Sequence, residues 1–304
     1  MSSILANMKQ LFINPVLDKE YRLRMRSAKS MWTILSYLFA IGLFATATFF
    51  IVGIESNGAG IYTNDFNDIL FIVMSFAQLG LIAFMAPGLT AGVISGEREK
   101  QTLNLLLTTQ QSSSSIIISK LISSLSFMFL IVFSTLPIYG IVFLYGGVSP
   151  SQLLAVFGFF LFNMLIFGGF GILFSTLFKR TMLAVIVTYG VVLFMFAGTG
   201  VIFLICFTAL QDYIYSGTPT PAFVEWVIHI LAFNPACALL SIFEPEMFKE
   251  MLNRASSTQK GFFDYVPMWL EYMLIYTVVL VICLWQAIRK LRPISRRGRS
   301  KSGI

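Results

Sequence analysis

Six stretches long and apolar enough to cross a lipid bilayer constrain this chain more than any other feature. A helix needs roughly 20 apolar residues to traverse about 30 Å of hydrocarbon. The segments Met31–Ile54, Ile69–Ile94, Leu121–Tyr145, Leu153–Phe178, Met182–Leu210 and Val266–Ile288 each supply that length. The first five contain no Asp, Glu, Lys or Arg, and the sixth contains only Glu271. In hydrocarbon every backbone N–H and C=O must be satisfied within the protein, so such stretches predict helices. The expected fold class is therefore all-α: a polytopic membrane protein with six transmembrane helices. Composition agrees, because only 12% of the residues are charged, about half the share usual in a soluble domain. The first thirty residues run polar and basic before an apolar stretch too long for a secretory h-region, so the first span is expected to be retained.

The basic residues orient the spans. Of the 21 lysines and arginines, only Lys249, Arg254 and Lys260 fall in the long segment before the last span, and none fall in 55–68 or 146–152. The rest lie before the first span, in the 95–120 and 179–181 loops, or after the last span. Under the positive-inside rule both termini are expected in the cytoplasm of a multi-pass protein of the cell membrane. The net charge of +7 is then a cytoplasmic-face signature directed at the bilayer, and no nucleic-acid partner is needed to explain it. Residues 222–243 are apolar enough to tempt a seventh span. Glu225, His229 and the Asn234–Pro235 pair interrupt them, and a further crossing would put the basic tail outside. They are expected to form two short helices, re-entrant or lying at the outer interface. The chain thus reads as one transmembrane domain over 1–304. Residues 1–30 are cytoplasmic or interfacial, 211–265 extracytoplasmic, and 289–304 a basic cytoplasmic tail.

Three segments outside the lipid carry most of the functional information. Phe12–Ser30 mixes Val16, Leu17, Tyr21, Leu23 and Met25 with bases, the pattern of an amphipathic helix in the headgroup plane or of a simple topology anchor. In the 95–115 loop Leu103, Leu106 and Leu107 fall at i, i+3 and i+4 and share one face of a short helix. Glu97 and Glu99 stand near the N-terminal end of that helix, which favours acids. Docking to a soluble partner and an ordinary solvated loop both remain open on pattern alone. The 211–265 segment, with prolines and the acids Glu244, Glu246 and Glu250, reads as an outer gate or a structural cap.

Within the spans, Gly88, Gly92 and Gly96 form two overlapping G-x-x-x-G steps, a spacing that lets helix backbones approach closely. Pro87 and Pro137 are expected to kink the second and third spans. Gln78, Asn163 and Glu271 are candidates for an intramembrane polar site, with interhelical hydrogen bonding the plainer role for the two amides and headgroup contact for Glu271. The chain has no G-x-x-x-x-G-K-[ST], a single histidine, and three cysteines without metal-type spacing. That pattern offers no phosphate cradle, no multi-histidine metal site and no Ser–His nucleophile in the spans. The expectation is a protein that is not an enzyme and binds no cofactor or metal itself.

Three stretches together resemble the permease subunit of type-2 ATP-binding cassette (ABC) exporters. ISGEREKQTLNLLLTT (Ile94–Thr109) is the most specific of them. FINPVLDKEYRLRMRSAK (Phe12–Lys29) is similar to the N-terminal connecting helix of that family, and LFSTLFKRTMLAVIVTYG (Leu173–Gly190) to its turn between the fourth and fifth spans. A fourth stretch, NPACALLSIF (Asn234–Phe243), is also similar to its outer region before the last span. The resemblance implies a cytoplasmic coupling helix between spans two and three, seated in a groove of a separate nucleotide-binding subunit. Glu97, Arg98 and Glu99 would make polar contacts there, and Leu103, Leu106 and Leu107 would pack. It also implies a second permease chain, as homodimer or heterodimer, with ATP and Mg used by the partner ATPase. Gln101 departs from the pattern where members commonly carry Gly. The main alternative is a non-transporting membrane scaffold or sensor, and no span carries a charge constellation matched to a particular substrate.

Overall fold

The computed structural model describes residues 28–55, 64–103, 113–144, 148–215, 229–247 and 266–291. The expected N-terminal interfacial helix lies outside them. All the elements described are helical: α1 (Ala28–Glu55), α2 (Asn64–Thr90), α3 (Ser95–Glu99), α4 (Ser113–Ser134), α5 (Leu136–Leu144), α6 (Pro150–Leu177), α7 (Thr181–Leu193), α8 (Thr199–Tyr215), α9 (Pro235–Phe243) and α10 (Met268–Leu291). Six helical stretches among the described residues are long and apolar enough to cross a membrane. Their order follows the six apolar runs of the sequence.

The spans are less regular than an apolar run suggests. The third is broken at Thr135, between α4 and α5, two residues before Pro137. Proline removes one helical donor and crowds the preceding turn, so the break sits where the ladder is weakest. The second passes through Pro87 without ending, and α2 stops at Thr90. The fifth joins α7 to α8 through a π-helical turn, Phe194–Gly198. Such a turn leaves carbonyls poorly matched to the ladder, and Asn234 Nδ2 donates to the Phe196 carbonyl at 2.8 Å.

α6 sits at the centre of the bundle and is the most buried span, whereas the first and fifth are the least. Its Gly168, Gly169 and Gly171 explain the position. A methyl group at these three places would meet Leu125 of α4, Leu280 of α10 and Thr90 of α2 respectively, each within 2.8 Å. Lacking side chains there, α6 lets three helices close on it from three sides. Its start is equally local. Ser149 accepts from the Gln152 N–H at 3.2 Å and Pro150 occupies the first turn, the usual N-cap and N1 chemistry.

The Asn234–Pro235 pair is likewise a helix start. Asn234 Oδ1 accepts from the Ala236 N–H at 2.9 Å, and α9 follows a short 3-10 turn, Ile230–Phe233. Ala238 and Leu239 of α9 are fully buried. The described part of 222–243 is therefore two short helical pieces packed into the bundle, not a spanning helix.

Candidate functional site

The residues richest in chemistry gather at one end of the bundle, around α3. Together α2 and α3 form a 33-residue candidate span, Asn67–Glu99, about 50 Å of helix at 1.5 Å per residue. That exceeds the hydrocarbon thickness, so α3 projects beyond it. Residues one and two apart on a helix point in different directions. Glu97, Arg98 and Glu99 consequently reach three different neighbours.

Glu97 Oε1 pairs with Lys120 Nζ of α4 at 2.5 Å, and the lysine is only 3% exposed. Arg98 turns toward the end of α6, where its guanidinium donates to the Phe178 carbonyl at 3.1 Å and the Thr176 carbonyl at 3.2 Å. These carbonyls belong to the helix terminus that lacks intrahelical donors and carries the negative end of the dipole. Glu99 does the converse for α7, accepting from the Thr181 N–H and the Thr181 hydroxyl, both at 2.8 Å. Those two bonds hold its carboxyl below the usual carboxylate range, although the group is exposed.

A second tie comes from α6. Ser175 Oγ accepts from the N–H groups of Ile94 at 2.8 Å and Ser95 at 2.9 Å, and it lies 3.3 Å from Ser95 Oγ. All these serine atoms are buried. One hydroxyl therefore satisfies two donors at the start of α3 that have no helical partner. Lys120, Thr176 and Ser175 were not singled out in the sequence. The signal for the first was a lone cation on the edge of an apolar span. The serine and threonine carried no signal beyond the Leu173–Gly190 resemblance.

The glycine stripe faces α7. An added methyl at Gly88 would lie 2.9 Å from the Tyr189 hydroxyl, and one at Gly92 would lie 3.2 Å from Thr181 Cγ2. At Gly96 the spacing relaxes to 3.8 Å. Tyr189 closes the contact by donating to the Phe84 carbonyl at 2.7 Å.

α3 does not run on to Leu107 as a single helix. It ends at Glu99, and Gln101 takes a φ of 59°. The Thr102 N–H donates to the Glu97 carbonyl at 3.0 Å and the Gln101 N–H to the Arg98 carbonyl at 3.1 Å, which together make a Schellman motif. Gln101 occupies its left-handed position, where glycine has no steric penalty. The departure from the family pattern thus keeps the turn. Gln101→Gly is expected to raise stability by about 1 kcal/mol, measured as a higher thermal midpoint in detergent, and Gln101→Val to lower it. Beyond the turn Leu103 is buried, while Leu106 and Leu107 lie outside the described residues.

The intramembrane candidates each have a different partner. Gln78 Nε2 donates to Thr135 Oγ1 of the third span at 3.3 Å. Asn163 of α6 accepts from the Tyr272 hydroxyl of α10 at 2.5 Å. Glu271 faces His229 Nδ1 at 3.0 Å, both about 15% exposed.

The fold is that of a multi-pass, all-helical membrane protein whose helix-end cluster binds spans two to five together. A family model described as "ABC-2 family transporter protein" matches residues 15–289. The chain belongs to that family and is a membrane-spanning permease component of an ABC transporter. No curated protein matches the chain.

Proposed function

We propose that this chain is an exporter permease that works as a pair of permease chains with separate ATP-hydrolysing subunits, α3 being the element on which those subunits act. The observation that carries this reading is the allocation of Glu97, Arg98 and Glu99 to α4, α6 and α7. A rigid element anchored to three spans passes on a displacement that a free loop would absorb. The ATPase-facing surface is then the exposed stretch Glu99–Thr102 rather than the paired faces of Glu97 and Arg98. ATP and Mg act in the partner, whose closure on nucleotide supplies the differential binding energy for a shift between inward- and outward-open states. The basic residues of the loops on its side support a cytoplasmic α3, within reach of such a subunit. The exporter assignment rests on the resemblance carried by Ile94–Thr109.

The test is purification of the tagged chain in mild detergent, identification of its partners and reconstitution of the complex. A P-loop subunit is expected near one to one with the permease. Arg98→Leu should leave that subunit bound while lowering transport per ATP roughly tenfold, a typical coupling magnitude. A chain that reproducibly purifies without any ATPase would overturn the proposal in favour of a scaffold or sensor. Unchanged transport by Arg98→Leu would remove α3 anchoring from the mechanism.

A further inference from the structure

The fifth span carries an irregularity that a side chain from another part of the chain holds in place. α7 starts beside α3, where Thr181 meets Glu99. Beyond Leu193 the helix widens into the π turn Phe194–Gly198, and α8 resumes at Thr199. The Thr199 N–H reaches back to the Phe194 carbonyl, the i→i−5 bond of a π turn, which holds one residue more than the α-helix around it. Two further carbonyls of the turn are met by side chains. Thr199 Oγ1 donates to the Met195 carbonyl at 2.6 Å, and Asn234 Nδ2 donates to the Phe196 carbonyl at 2.8 Å.

Asn234 belongs to a different unit, the 3-10 turn Ile230–Phe233 followed by α9. It is 4% exposed, and both ends of its amide are used. Oδ1 caps α9 through the Ala236 N–H, while Nδ2 crosses to span five. The same unit is fixed to the last span. The Tyr276 hydroxyl of α10 donates to the Phe233 carbonyl at 2.9 Å, and His229 Nδ1 lies 3.0 Å from Glu271. Capping needs only an acceptor. The donor on Asn234 therefore has a separate role, and the geometry directs it at the π turn.

We propose that Asn234 is a positioning residue that holds the fifth span in its π register, so that displacement of the α9 unit with α10 resets the register of α8. While the amide is seated, the extra residue stays in the turn. When the amide leaves, the Phe196 carbonyl loses its donor, and absorbing the extra residue into α geometry restores one. α8 then rotates about 100° and advances about 1.5 Å relative to α7. Each side chain of α8 takes the direction its neighbour had. Phe203, Cys206 and Phe207 are now half-buried, whereas Leu204 and Ile205 are exposed. This inference is independent of the assignment of α3.

The measurement is an accessibility scan of the full chain in lipid nanodiscs, with its three cysteines replaced by serine. Single nitroxide labels are placed in turn along residues 200–208, with labels at Met182 and Ile186 of α7 as the reference. Relaxation by dissolved oxygen, which partitions into hydrocarbon, reads the lipid-facing side. Minima are expected at Phe203, Cys206 and Phe207 in the otherwise unchanged chain. Asn234→Asp keeps the cap, since Asp and Asn cap about equally well, and removes only the donor. It should move the minima by one position. Asn234→Ser, which also retains a capping oxygen and adds no charge, should do the same. Deleting Ala197 from the Asn234→Asp chain takes out the extra residue and should return the minima to their first positions. Unmoved minima in both substitutions would mean that Asn234 only caps α9 and would overturn the proposal. A change that the deletion does not reverse would overturn it too, because general loosening of the bundle has no register to restore.

Discussion

Gly171→Ala is expected to lower the stability of this permease by about 3 kcal/mol, the upper range for overpacking a tight helix contact. The added methyl would sit 1.9 Å from Thr90 Oγ1, 2.8 Å from Thr90 Cβ and 3.0 Å from the Ala91 nitrogen. None of these atoms can retreat cheaply. The Thr90 hydroxyl is bonded to the Ala86 carbonyl at 2.8 Å, and the Ala91 N–H to the Pro87 carbonyl at 2.8 Å. The backbones of α2 and α6 would have to separate. Ser175 lies one turn further along the same face of α6, so separation would also stretch its bonds to Ile94 and Ser95. The damage should reach α3 as well as the core. Gly158→Ala on the same helix is the matched control. Its methyl would meet nothing within 4 Å, so the change should be neutral or gain up to about 1 kcal/mol from helix propensity. Thermal unfolding of both variants in one detergent checks the pair, and equal midpoints would show that α2 and α6 are not in close contact at Gly171.

Lys120→Met should cost about 2 kcal/mol, below the 3–5 kcal/mol of a fully buried pair because the Glu97 side chain keeps 27% of its exposure. The substitution keeps the apolar stem of the lysine and removes only its charge. Glu97 is then left as an uncompensated carboxylate whose Oε2 already has no hydrogen-bond partner. Pairing the change with Glu97→Leu should recover more than half of the loss, since replacing both members of a buried pair by apolar groups is far less costly than removing one. Limited proteolysis and thermal unfolding of the two single variants and the double variant measure this. A double variant no better than Lys120→Met alone would mean that the lysine acts through contacts other than Glu97.

Much of the fold was legible because lipid leaves few choices. A run such as Leu153–Phe178, with no charge in 26 residues, has to satisfy its own backbone, and a helix does so without help from another segment. The Asn234–Pro235 interruption was visible for a similarly local reason, since a capping side chain followed by proline acts within one turn of chain. The motif at Glu97–Glu99 was recognisable as a motif, but the direction of each side chain was not. Whether a glutamate faces Lys120, 23 positions away, or a separate subunit depends on which helices lie beside it. The pairing of Gln78 with Thr135 of the third span was hidden as well.

The sequence by itself determined the all-helical class, the six spans and the family resemblance, which depend on interactions within a few turns of chain or with the solvent. The tertiary structure decided that α6 is the centre of the bundle and that α3 is tied to α4, α6 and α7. Those outcomes depend on distances between segments far apart in the chain. In a bilayer, where apolar burial hardly distinguishes protein from lipid, such distances are set by small-residue contacts and a few polar bonds.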